Sequence, residues 1–259
     1  MAGKQVSGRQ AALIAHLEAY IAARKPGQEM PREVDLIGPR WGSRTTVRGA
    51  VADLAARGLI EGGGPATRWK ITMLPVLPVP LARYSTRTHG GEAAAGWFAD
   101  AWTHAVARLG YTPTERVTPG LAPIDQVAAG LGMGNVPGIP LTARRVLRLV
   151  DGREHNEVLY WFPDRVAADA PALAEQQGSI PGGSLAYIAQ CGHRPTGYAL
   201  RIRSRVPDEG ERDRLRIARG ISLLIVWRAG YADDGLPVFC SRETYPDYRA
   251  ELVESGGSI

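Results

Sequence analysis

Between residues 10 and 24 apolar side chains recur at three- and four-residue spacing (Ala11, Ile14, Leu17, Ile21), which predicts an amphipathic helix closed by Pro26-Gly27. A second, short helix is predicted from near Pro31, whose missing N–H costs nothing in a first turn, to Gly38-Pro39. Trp41-Gly42 then forms a turn. Ser43 stands where a third helix needs a cap, Val47, Val51, Leu54 and Ala55 supply its buried stripe, and Gly58 ends it. Leu59-Ile60-Glu61 and residues 68–72 read as two strands around a glycine-rich tip. Three helices followed by a small hairpin predict a winged helix-turn-helix.

Prolines at 75, 78 and 80 then forbid a helix and remove sheet donors, so residues 75–82 read as an extended, semi-rigid linker. The expected division is 1–74, a linker at 75–82, and a larger domain at 83–259. In that domain Glu92 to Leu109 predicts an aromatic-rich helix through Trp97, Trp102 and Val106. Leu141 to Val150 and Val158 to Phe162 flank Asp151-Gly152, a favoured hairpin turn. Ser184 to Gln190 reads as a short helix and Asp208 to Ala218 as another. Residues 199–206 alternate Leu200, Ile202, Ser204 and Val206 with Arg201, Arg203 and Arg205, the pattern of a half-buried strand. Ser222 to Tyr231 and Leu236 to Tyr245 form a further hairpin across Asp233-Asp234-Gly235. Antiparallel hairpins interrupted by helices predict an α+β fold.

With 259 residues and 44% apolar content the chain is built to fold, not to stay disordered. No stretch approaches eighteen consecutive apolar residues and the first nine are polar, which points to a cytoplasmic protein with no membrane segment. The two cysteines, Cys191 and Cys240, are too few for a disulfide framework. Charge is unevenly placed. Residues 1–74 hold 11 Lys/Arg against 6 Asp/Glu, and residues 75–259 hold 20 against 20. A basic amino-terminal module on a neutral body implies a polyanionic partner for that module alone.

The run Ser43-Arg44-Thr45-Thr46-Val47-Arg48 gives that partner a chemistry. Arg44 and Arg48 lie one helical turn apart, where a guanidinium reaches guanine O6/N7 or a phosphate. Thr45 and Thr46 are short enough to let the backbone approach the groove, and Arg68 and Lys70 are placed on the wing to touch the DNA backbone or minor groove. This run, followed by Leu54 and Gly58-Leu59-Ile60, resembles the recognition helix and wing entry of the GntR family of bacterial regulators. Two departures stand out. The family's second-helix run P-S-E-R-E-L is here Pro31-Arg32-Glu33-Val34-Asp35-Leu36, so its phosphate-contacting arginine is moved or lost. The usual Tyr-Gly-Val before the serine is here Trp41-Gly42.

The remainder resembles the UTRA ligand-binding domain of the HutC subfamily. The resemblance is carried by Arg83-Tyr84, Arg148-Leu149-Val150-Asp151-Gly152, Phe162-Pro163, Gly183-Ser184-Leu185, and Asp234-Gly235-Leu236-Pro237 with Ser241 and Tyr245. It implies a homodimer that binds an imperfect palindromic operator in double-stranded DNA as a repressor and is released by a small-molecule effector. It also implies an effector site that includes Arg148, Tyr160, Ser184, Phe239 and Tyr245. Polar positions of phosphosugar-binding members are replaced by Val158, Tyr160 and Phe239, which predicts a partly apolar effector with one anionic group. Other readings stand beside these: an ion pair across the sheet for Arg148, and core packing for Tyr160 and Phe239. For the whole protein, the alternatives are a constitutive repressor of transfer genes on an actinobacterial conjugative element and a small-acid enzyme on the related chorismate lyase scaffold. No nucleophile and base are paired in the sequence. Cys191, His193, His155 and Cys240 have no recognised zinc spacing, so neither catalysis, metal nor cofactor is expected.

Overall fold

The computed structural model describes residues 8–64, 67–80, 101–134, 137–217 and 220–253. The chain divides into two compact units, residues 1–75 with 216–221, and residues 76–215 with 222–259. In the first unit α1 (Gly8–Ala22), α2 (Glu33–Leu36) and α3 (Arg44–Ala56) precede an antiparallel hairpin of β1 (Ile60–Gly64) and β2 (Thr67–Ile71). The buried stripe of α1 is Leu13, Leu17 and Ile21, facing Val47, Ala50, Val51 and Leu54 of α3. The expected stripe was rotated: Ala11 is exposed and Ile14 half-buried, because a strict four-residue row through Leu13 meets α3. Helix α2 is a single turn, since both Arg32 (φ −66°, ψ 144°) and Ile37 (φ −76°, ψ 126°) are extended. At the wing, Gly63 has φ +76° and no side chain, so the Trp69 ring lies where a Cβ would be.

The second unit opens with β3 (Leu77–Pro80), which pairs in parallel with β10 (Ala250–Val253) at the far end of the chain. Part of the segment expected to be a linker is thus a docked strand. Leu77 and Val79 are buried, and prolines 78 and 80 are tolerated because only two strands share the ladder. Between them come α4 (Ala101–Arg108), β4 (Pro113–Pro123), α5 (Gln126–Ala128), β5 (Pro140–Val150) and β6 (Arg153–Phe162). Next are α6 (Asp164–Asp169), α7 (Ala172–Glu175), α8 (Ser184–Gln190), β7 (Gly197–Arg205), α9 (Glu209–Leu215), β8 (Leu223–Tyr231) and β9 (Pro237–Pro246). Six strands form one antiparallel sheet in the order β4-β5-β6-β9-β8-β7. Arg83-Tyr84, Trp97 and the first half of the expected aromatic helix lie outside the described residues. The helix expected over 208–218 ends at Leu215.

Register assigns side chains to faces. Glu115 opposes Arg148, Val146 opposes Val158, Arg144 opposes Tyr160, and Val158 opposes Glu243, so all share one face. On that face α6, α7 and α8 pack over Phe162, Val238 and Phe239 together with Val166, Leu173, Leu185 and Ile188. The other face carries Glu157, which accepts from Arg145 and Arg214, and Trp227 and Arg242, which both donate to Asp125. Strand β7 departs from its expected half-burial. It is an edge of the sheet, and Leu200 and Ile202 are 38% and 37% exposed.

Candidate functional sites

On the first unit the entry to α3 is set by Ser43, whose Oγ accepts from the Thr46 amide at 3.4 Å and lies 3.3 Å from the Thr46 Oγ1. Ser43 and Thr46 therefore satisfy the first turn, while Arg44, Thr45 and Arg48 project into solvent. Arg48 is at ion-pair distance from Glu33, 3.5 Å, and Arg68 donates to Glu29 at 2.6 Å. Lys70 is exposed opposite Glu61 across the hairpin. Arg44 makes no ion pair or hydrogen bond among the described residues, so its donors are open to a partner. Val34 stands 63% exposed at the position of the family's second-helix arginine, and Arg32 beside it is held by Asp35 at 2.8 Å. An exposed cation that the sequence reading missed lies next to this face: Arg40 stacks over the Trp41 ring at 4.4 Å, and His16 stacks on the same ring at 4.7 Å. The shortened turn before Ser43 thus has a built use for its tryptophan.

On the second unit a cavity of about 500 Å³ opens between the face of β4, β5 and β6 and the loop that leads into α8. Arg148, Tyr160 and Ser184 all line it, joined by Glu115, Arg144 and Thr103. Arg148 donates from Nε to Glu115 Oε1 at 3.1 Å and lies over the Trp102 ring at 5.3 Å. Burial alone would lower the Arg148 guanidinium, but Tyr160, Glu115, Tyr245 and Glu243 around it raise it overall, so it keeps its charge. Arg144 is fully buried and has another role. Its Nη1 donates to the carbonyls of Ala172, Leu173 and Gln176, and its Nη2 to that of Gly178. These carbonyls belong to α7 and the residues just after it, immediately before the lining residue Ser179, so Arg144 anchors the approach to the cavity loop.

Phe239 and Tyr245 do not line the cavity. Phe239 is buried in the cluster under α8, where Gly230 opposite it leaves room for the ring. Tyr245 donates to Glu243 at 2.6 Å, and Glu243 also accepts from Arg228 at 2.8 Å. Burial would raise the Glu243 carboxyl, but Arg228 and Arg148, with the hydrogen bonds, hold it below its ordinary value. Val158 is buried and also absent from the lining. Val158 and Phe239 thus lie in the core while Tyr160 lines the cavity, and the lining itself mixes charged, hydroxyl and apolar groups. Among the described residues no three His, Cys, Asp or Glu side chains are placed to hold a metal, and no helix is long and apolar enough to cross a membrane. His193 pairs with Asp169 at 2.8 Å, and burial pushes the Cys240 thiol up.

The UTRA domain family matches residues 121–251, half of the chain, and that span holds the cavity strands β5 and β6 with the α8 entry loop. The chain belongs to the UTRA domain family. Its fold is shared along nearly its whole length by solved structures at low identity. PhnF from Mycobacterium smegmatis is 19% identical with a TM-score of 0.54, covering 95% of this chain and 99% of its own. A chain described as a GntR-family transcriptional regulator is 18% identical with a TM-score of 0.54, covering 98% and 99%. The isolated effector domain of the Mycobacterium smegmatis PhnF is 19% identical with a TM-score of 0.50, covering 62% of this chain and 96% of its own. No curated protein matches by sequence. The family is one of regulators and not of enzymes. Within the UTRA domain, sequence reasoning found three residues that the fold brings together, Arg148, Tyr160 and Ser184. It missed Glu115, because β4 lacks a strong apolar alternation: only Val117 marks its inward face, between Glu115 and Pro119.

Proposed function

We propose that this regulator binds an imperfect palindrome in double-stranded DNA as a homodimer, represses transcription there, and is released when a small molecule enters the UTRA cavity. The DNA half of the reading is supported above all by Arg44, an arginine at the start of an exposed recognition helix with no protein partner among the described residues. Thr45, Arg48, Lys70 and Arg68 flank it on the same unit as contacts to the phosphate backbone, and a twofold pair of such units matches a symmetric site. The sensing half is supported by the cavity with Arg148, Tyr160 and Ser184 on its wall. That cavity favours a ligand-gated repressor over a constitutive one, since about 500 Å³ is the volume of a metabolite site. Repression is released when the effector prefers the dimer arrangement that does not fit the operator, with a coupling of about 1–3 kcal/mol. Selection from random DNA followed by metabolite screening on the selected site tests both halves. A symmetric consensus, and a compound that lowers operator affinity while operator lowers affinity for that compound, support the reading. An asymmetric or absent consensus overturns the first half, and a broad metabolite panel without effect on melting or DNA affinity favours the constitutive alternative.

A further inference from the structure

The cavity wall carries an ion pair, Arg148 with Glu115, both of which line the cavity. Arg148 gives only Nε to Glu115, and among the described residues its Nη1 and Nη2 have no hydrogen-bond partner, nor has the second carboxylate oxygen of Glu115. Both side chains are largely covered, at 15% and 23% exposure, so water compensates them poorly. The other charge in the lining, Arg144, has its head group turned to the carbonyls of Ala172, Leu173, Gln176 and Gly178. A simple anion arriving at Arg148 would share the guanidinium with Glu115, and two like charges a few ångströms apart in a half-buried site repel. A simple cation at Glu115 would meet Arg148 in the same way. The ligand that satisfies both open ends carries both signs.

Building on the effector reading above, we propose that the UTRA cavity selects a zwitterion: a small molecule whose anionic group takes the Nη donors of Arg148 and whose protonated amine, a few bonds away, donates to Glu115. Ser184 and Tyr160 then supply neutral hydrogen bonds, and Val117, Val146, Ile180 and Leu185 cover the carbon skeleton. Glu115 is the specificity-determining residue, because it penalises plain carboxylates and phosphates that Arg148 alone would accept.

Three probes that differ in one group test this on the full-length protein: propionate, 3-hydroxypropionate and β-alanine, titrated to high millimolar concentration by protein-observed NMR. In the wild-type protein β-alanine is expected to bind at least about tenfold more tightly than either other acid, the factor for one charge-assisted hydrogen bond. The isosteric Glu115→Gln variant is expected to reverse the order, with propionate gaining and β-alanine losing, and Arg148→Gln to weaken all three. Equal binding of β-alanine and 3-hydroxypropionate, an order unchanged in Glu115→Gln, or no binding of any probe overturns the zwitterion assignment. If Arg148→Gln weakens binding while Glu115→Gln leaves the order intact, only that assignment fails and the effector site stands. If neither variant changes the binding of probes that do bind, the cavity is not the site and the effector reading falls with it.

Discussion

The Glu33 carboxylate lies 3.5 Å from Arg48 Nε, tying the one-turn helix α2 to the recognition helix, while its other oxygen accepts from Trp69 Nε1 of the wing at 3.3 Å. One acid thus holds the exposed Arg48 of α3 and braces the β1–β2 hairpin through Trp69. A phosphate that takes Arg48 must compete with it. Glu33→Gln keeps an acceptor for Trp69 but removes the charge, and is expected to raise non-specific DNA affinity by up to about fivefold at low salt, the equivalent of an exposed ion pair worth about 0.2–1 kcal/mol. The gain should shrink as salt rises, and fluorescence anisotropy across a salt series measures it. An unchanged affinity at low salt would mean that Arg48 does not meet phosphate.

Arg44 and Arg48 are expected to fail differently. Arg44→Ala should cost about 1–3 kcal/mol on the selected operator and relax preference at one base position per half-site, as the loss of a bidentate base contact does. Arg48→Ala should weaken all sequences alike and flatten the logarithmic salt dependence by about one unit. Repeating the binding-site selection with each variant separates base readout from backbone contact.

Removing the buried Arg144 head group strands the carbonyls of Ala172, Leu173, Gln176 and Gly178. Arg144→Met keeps most of the side-chain volume and is expected to destabilise the UTRA domain by about 1–3 kcal/mol, the cost of leaving buried polar groups unsatisfied. Hydrogen exchange should rise first in residues 172–185, where the loop loses its anchor. A variant with full protection there would assign the loop's order to the Leu173, Ile180 and Leu185 packing alone.

Acid should reveal the network under the cavity. Glu243 is held below its ordinary carboxyl value of 4.5 chiefly by Arg228 and Arg148 against its burial, so it contributes stability that is complete above that value and is lost as pH falls through its lower folded one. The melting temperature of the wild-type protein should therefore fall more steeply below pH 4.5 than that of Glu243→Gln, which has no proton to take up there. Parallel slopes in thermal scans from pH 6 to pH 3 would show that the carboxyl is not stabilised by its neighbours.

The sequence by itself determined the order of the local elements of the first unit and where its third helix starts and stops. Ser43, the three-residue spacing to Thr46 and the glycine at 58 act within a turn or two of chain, so capping and termination could be read from neighbours alone. The resemblance to UTRA domains also pointed to Arg148, Tyr160 and Ser184, which line one cavity. Only the tertiary structure decided what those residues face. The pairing of Glu115 with Arg148 spans 33 positions and follows from the β4–β5 register, which no local pattern encodes. Phe239 was legible both as a core residue and as a pocket residue, and only the packing of Val166, Leu173 and Ile188 around it places it in the core. The parallel partnership of β3 with β10, at opposite ends of the second unit, was hidden for the same reason. A strand's hydrogen-bond partner is chosen by packing at long range, and its sequence records only which side is apolar.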